Sequence, residues 1–244
     1  MTQQQASLPK DMASKETLLD TLYEVYSQWV GRFPLACQKG CAACCTQSVT
    51  MTSLEGKNIL DFLKAEGREK GLPELLGHRV KANKGVTLTT NQYARACLEH
   101  RVIADDALGG WNFVPCVFLH ENACSIYEVR PFGCRSFGSF ETCSENSGAE
   151  MAPIHLTVNT VFSQVIEHIC SDGGFWGNMG DVLESLVEDQ HPDTKGKLLP
   201  AQPIPGFLLA PQEVKPVNFL LKQLCEQFKD KQTFGDLIDN FLPI

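Results

Sequence analysis

Cysteine placement constrains this chain more than any other feature. Eleven of its 244 residues are cysteine, and eight of them fall into two groups: Cys37, Cys41, Cys44 and Cys45, then Cys116, Cys124, Cys134 and Cys143. Packing alone does not call for thiols at that local density, although cysteines bury readily. An odd total cannot pair completely into disulfides. The N-terminal MTQQQASLPK has no basic segment followed by an apolar stretch, so no secretory leader is expected and a reducing, cytoplasmic setting is. In such a compartment clustered cysteines point to metal ligation or redox chemistry.

The first group reads CQKGCAACC. Cysteines three apart on a turn can aim both sulfurs at one cation, the geometry used at zinc and iron–sulfur sites. Gly40, Ala42 and Ala43 are small enough to let the backbone close around a metal. Adjacent side chains diverge, which leaves Cys45 to serve a second ion or to bridge. The second group, PCVFLHENACSIYEVRPFGCR, carries Cys116, Cys124 and Cys134. Seven or eight thiolates would satisfy one [4Fe–4S] cluster with some to spare, or two tetrahedral zinc ions. Four thiolates around either centre leave a net charge of about −2, and Arg130 and Arg135 lie beside the ligands to offset it. Cys143 is left open between ligand and structural thiol. His120 reads as a solvated turn residue, and Cys97, Cys170 and Cys225 read as core thiols on helix faces.

Hydrophobic periodicity is mostly helical. It predicts helices over about 14–31, from Thr52 (a capping box with Glu55) through Leu63, from Pro73 to about Asn83, over 91–107, over 153–170 and over 179–188. β-favouring residues around the HENA segment (120–123) predict a small hairpin, or knuckle. A proline-dense stretch follows, expected to run extended across the surface, and two short helices end the chain. The expected fold is mainly α: a helical domain with a small β-hairpin at a cysteine-rich metal site. The expected organisation is a cysteine-cluster metal-binding domain over residues 1–190, a proline-rich connector over 191–216, and C-terminal helices over 217–244 packing on that domain.

Composition excludes more than it assigns. Twenty-one Lys and Arg against 29 Asp and Glu give a net charge of −8, which argues against nucleic acid as a partner. No run approaches the ~20 apolar residues that cross a bilayer. No GxSxG, HExxH or phosphate-binding loop is present. Cys37, Cys41 and Cys44 match the CxxxCxxC spacing of radical S-adenosylmethionine enzymes, but no strand–helix series follows the loop and Ala43 stands where those enzymes carry an aromatic.

CxxxCxxCC, then PCxFL, then CxIYExRPxxCR, together resemble the YkgJ-type cysteine-cluster family, whose domain is taken to chelate zinc or iron. The likeness runs from Cys37 to Phe140 and departs at Val117, where the family often has a second proline. It implies a compact metal-binding domain. A related pattern occurs in flagellin lysine methylases. The sequence therefore points to a protein holding zinc or an iron–sulfur cluster in a structural or redox role. An S-adenosylmethionine-dependent or electron-transfer enzyme is the alternative. The partner, protein or small molecule, is not encoded in any motif.

Overall fold

The computed structural model describes residues 14–37, 40–80, 86–104, 113–143, 148–188 and 197–227. Helix α1 spans Lys15–Val30 and starts where the Ser14 side chain accepts from the Thr17 amide. After the first cysteine loop come strand β1 (Thr50–Thr52) and helix α2 (Ser53–Ala65), opened by a complete capping box between Thr52 and Glu55. Two shorter helices follow, α3 (Leu72–Gly77) and α4 (Thr90–Leu98). The second cysteine segment carries strands β2 (Leu119–His120) and β3 (Ala123–Cys124), then the single turn α5 (Phe132–Arg135). Helix α6 (Pro153–Cys170), strand β4 (Phe175–Asn178), helix α7 (Met179–Val187), strand β5 (Leu199–Pro200) and helix α8 (Pro211–Gln227) complete the order.

Two hydrophobic cores organise these elements. The first joins α1, α6 and α8 through Leu19, Leu22, Tyr26, Phe162, Ile166, Leu221 and Leu224. The second joins α2, α3 and α7 through Ile59, Leu63, Leu72, Val182 and Leu183. A three-stranded antiparallel sheet, ordered β1-β4-β5, runs beside them with Met51 opposite Gly177 and Trp176 opposite Leu199. Gly174 enters this sheet so close to α6 that a Cβ there would stand 2.3 Å from both the carbonyl oxygen and the sulfur of Cys170.

The mainly α reading holds, with four differences. The sheet was not expected: its strands are two to four residues long, too short for alternation to register. The helix expected over 91–107 stops at Leu98, because His100 turns into the left-handed region with φ 53°. The proline-dense stretch is not wholly extended or superficial. Pro200 sits on an edge strand, where a missing amide is tolerated. Ala201 and Ile204 are buried in the first core, Pro211 opens α8, and Pro216 lies inside that helix. The helix expected from Pro73 to about Asn83 is shorter, Leu72–Gly77, and ends at His78. The last predicted helix, with Phe234, Leu237, Ile238 and Phe241, lies outside the described residues.

Candidate metal centre

The first cysteine loop leaves α1 at Gly31 and runs to β1. Gly40, at φ 97°, makes a turn that side-chain-bearing residues rarely adopt, between Cys37 and Cys41. The second segment is pinned at three places. Phe118 and Ile126 plug into the second core, with Cys116 and Cys124 packed against it, while Phe132 enters the first core. The cysteine segment therefore spans the seam between the two cores. The hairpin β2–β3 pairs Leu119 with Cys124, and its two turn residues, Glu121 and Asn122, both have positive φ (47° and 61°), as a tight type I′ turn requires.

Backbone hydrogen bonds lace the two cysteine segments together. The Cys116 amide donates to the Cys45 carbonyl at 2.9 Å, the Gln47 amide donates to the Val114 carbonyl at 3.0 Å, and Thr46 bridges Pro115. On the other side of the loop, the Ala36 amide donates to the Ser139 carbonyl at 2.8 Å. Ser139 is fully buried, and its hydroxyl accepts from the Glu150 amide at 2.9 Å, which holds the 137–143 segment beside Cys37.

The thiols sort by their neighbours. Cys37 stands near the thiols of Cys41, Cys44 and Cys143. Burial pushes it up in pKa, and the Ser139 amide, donating to its sulfur, pulls it back. Cys134 is raised mainly by burial, then by the thiols of Cys116 and Cys124. Cys116 is raised by burial and steadied by the Phe118 amide. The Cys44 thiol donates towards the Cys45 sulfur, which raises Cys44 and lowers Cys45 in pKa. Cys45 also neighbours Cys134, Cys124 and Cys116. An open cleft of about 450 Å³, lined by Gly40, Ala43, Phe113, Pro115 and Leu119, reaches Cys45. Among the described residues no three Cys, His, Asp or Glu side chains converge closely enough to hold an ion as they stand, so a metal would have to draw them inwards.

The two arginines take different places. The Arg130 guanidinium lies 3.7 Å over the Tyr127 ring and near the thiols of both Cys44 and Cys134. Its Nε is buried without a hydrogen-bond partner. Arg135 donates from Nε to the Arg130 carbonyl at 2.8 Å and from Nη2 to the Glu128 carbonyl, and it lies 4.2 Å over the Tyr23 ring. Tyr127 carries Arg130 on its ring face. His120 is exposed on the hairpin. Cys170 is buried with its sulfur 3.4 Å from the Ser53 hydroxyl, as a core thiol; Cys97 and Cys225 are half-buried on α4 and α8.

Sequence reasoning missed Ser139 and the reach of Glu55. The buried Glu55 carboxylate accepts from the Tyr23 hydroxyl (2.8 Å) and the Phe132 amide (2.7 Å) through Oε1, and from the Thr52 amide (2.8 Å) through Oε2. It thereby fixes α5, the turn that carries Cys134. Only the capping-box half of this role has a local sequence signature.

A family model described as "CxxCxxCC: Putative zinc- or iron-chelating domain" matches residues 36–170, more than half of the chain. The chain belongs to this family. The match takes in all eight clustered cysteines and both arginines, so the CxxCxxCC domain includes the seam between the cores and extends to the end of α6. No curated protein and no solved structure matches the chain.

Proposed function

We propose that the CxxCxxCC domain of this protein chelates zinc or an iron–sulfur cluster through Cys37, Cys41, Cys44, Cys45, Cys116, Cys124 and Cys134, and that the metal is structural. One observation carries the reading: the Cys116 amide bonded to the Cys45 carbonyl brings together two thiol groups some seventy residues apart. The donor set fits the metal in kind. Thiolates suit zinc and iron–sulfur clusters, and the buried, unpartnered Nε of Arg130 suits an anionic centre beside it. A bound metal supplies strong bonds to deprotonated sulfurs. The chain supplies the turn at Gly40, amides directed at Cys37 and Cys116, and a guanidinium near both groups. We place the protein in the cytoplasm, with a protein or small molecule rather than nucleic acid as its partner, given the net charge of −8.

Anaerobic purification with elemental analysis tests the reading. Brown protein absorbing broadly near ~400 nm indicates iron–sulfur, whereas zinc is d¹⁰ and colourless. Cys41→Ser and Cys134→Ser should each lower metal content and melting temperature. Cys225→Ser should leave metal content unchanged and cost on the order of 1–3 kcal/mol as a packing defect. Full metal occupancy with normal melting in both ligand variants overturns the assignment.

A further inference from the structure

We propose that the eight clustered thiols form two separate four-thiol centres, Cys37/Cys41/Cys44/Cys143 and Cys45/Cys116/Cys124/Cys134, with the Arg130 guanidinium between them. This rests on the chelation reading and adds the number of centres, the division of ligands and the role of Cys143.

Two features of the backbone divide the thiols this way. The Ala36–Ser139 bond (2.8 Å) sets the start of the first loop against the segment that ends in Cys143, so Cys37 and Cys143 share a side. The Cys45–Cys116 bond and the Leu119–Cys124 pairing gather Cys45, Cys116 and Cys124 on the other side, where Phe118 and Ile126 anchor them to the second core. Cys44 and Cys45 are consecutive and their thiols touch, but Cys44 neighbours Cys37 while Cys45 neighbours Cys116 and Cys124, so one is assigned to each set. Cys37 has Cys41, Cys44 and Cys143 around it, whereas Cys45 and Cys134 both have Cys116 and Cys124; Cys44 also neighbours Cys45 and Cys134, at the border between the sets.

The sets touch at the Cys44–Cys45 thiol contact, and Arg130 lies near one member of each, Cys44 and Cys134. Each four-thiolate centre would carry about −2 with a divalent ion. Two such charges side by side repel, and a guanidinium between them offsets that repulsion. Four thiolates per centre is the closed, water-free set of a structural metal site.

Zinc serves as the probe. The full-length protein, stripped of metal under reducing conditions and reloaded with zinc, is weighed intact by native mass spectrometry. The expected result is two zinc ions per wild-type chain, one in Cys143→Ser and one in Cys124→Ser. Cadmium substitution should give two cadmium resonances in the wild type, and each variant should lose a different one. A single ion or single cluster per wild-type chain overturns the division, a result that needs no variant to fold. So does Cys143→Ser with an unchanged count, or either variant losing all metal. In each of those outcomes chelation itself stands. A wild-type chain that takes up neither zinc nor iron defeats the chelation reading and the division with it.

Discussion

Glu55 shows how one side chain can serve both a helix end and a distant turn. Its buried carboxylate caps α2 and receives the Phe132 amide at the start of α5 and the Tyr23 hydroxyl from α1. Glu55→Ala would strand those donors in the interior and should destabilise the protein by about 3 kcal/mol, read by urea denaturation. Glu55→Gln keeps carbonyl acceptance and should cost less. His155 is the opposite case, a buried imidazole with neither nitrogen hydrogen-bonded. It is enclosed by the rings of Phe33 (4.1 Å), Trp29 (4.9 Å) and Phe140 (5.3 Å). Burial holds its pKa below the ordinary histidine value, and burial acts the same way on His168. Below pH ~6.5 the unfolded chain takes up protons that the folded chain refuses, so stability present above that pH is lost as pH falls. His155→Phe should flatten the fall in melting temperature between about pH 7 and 5.5. His168 should leave a residual slope. An unchanged slope would mean that His155 is solvated in the fold.

Helix α8 contains Pro216, exposed on its sixth position, where it cannot donate the amide bond to the Gln212 carbonyl. Pro216→Ala should restore that bond and raise stability by about 1–2 kcal/mol. A loss of stability would show that the helix depends on a bend at this point. The same helix shows where sequence reasoning stops. Periodic runs of ten or more residues announced themselves, so α1, α2 and α6 lie where the apolar spacing puts them, and Thr52 with Glu55 marked the start of α2. Proline density, by contrast, argues for extended chain only when each proline is read alone. Here Pro200 occupies an edge strand, Pro211 a first helical turn and Pro216 a helix whose Val217, Leu220, Leu221 and Leu224 are held by the first core. Tertiary burial outweighed local propensity. The small sheet stayed hidden because strands this short carry no period, and β1 finds its partner more than a hundred residues away, as Thr52 with Trp176. At the site, spacing exposed the thiols themselves but not their order in space. Ser139 and Glu55 position them through contacts that have no local sequence signature.

Across the whole molecule, the cysteine segment is anchored in both cores, with Phe118 and Ile126 in one and Phe132 in the other. Metal bound there would couple the two, and its binding energy would become folding energy. Prolonged chelation under reducing conditions should lower the melting temperature by on the order of 10 °C and separate one calorimetric transition into two. A single unshifted transition after complete metal removal would show that the cores hold each other without it. The long span between Cys45 and Cys116 also has a consequence in time. Closing a loop of about seventy residues costs about 4 kcal/mol of chain entropy before any thiol meets its partners. During synthesis the first four cysteines emerge roughly 4 to 15 s ahead of Cys116 at ordinary elongation rates. In that interval they form an incomplete, exposed set of thiols on the nascent chain, open to whichever soft metal ion or oxidant reaches them before the rest of the centre has been made.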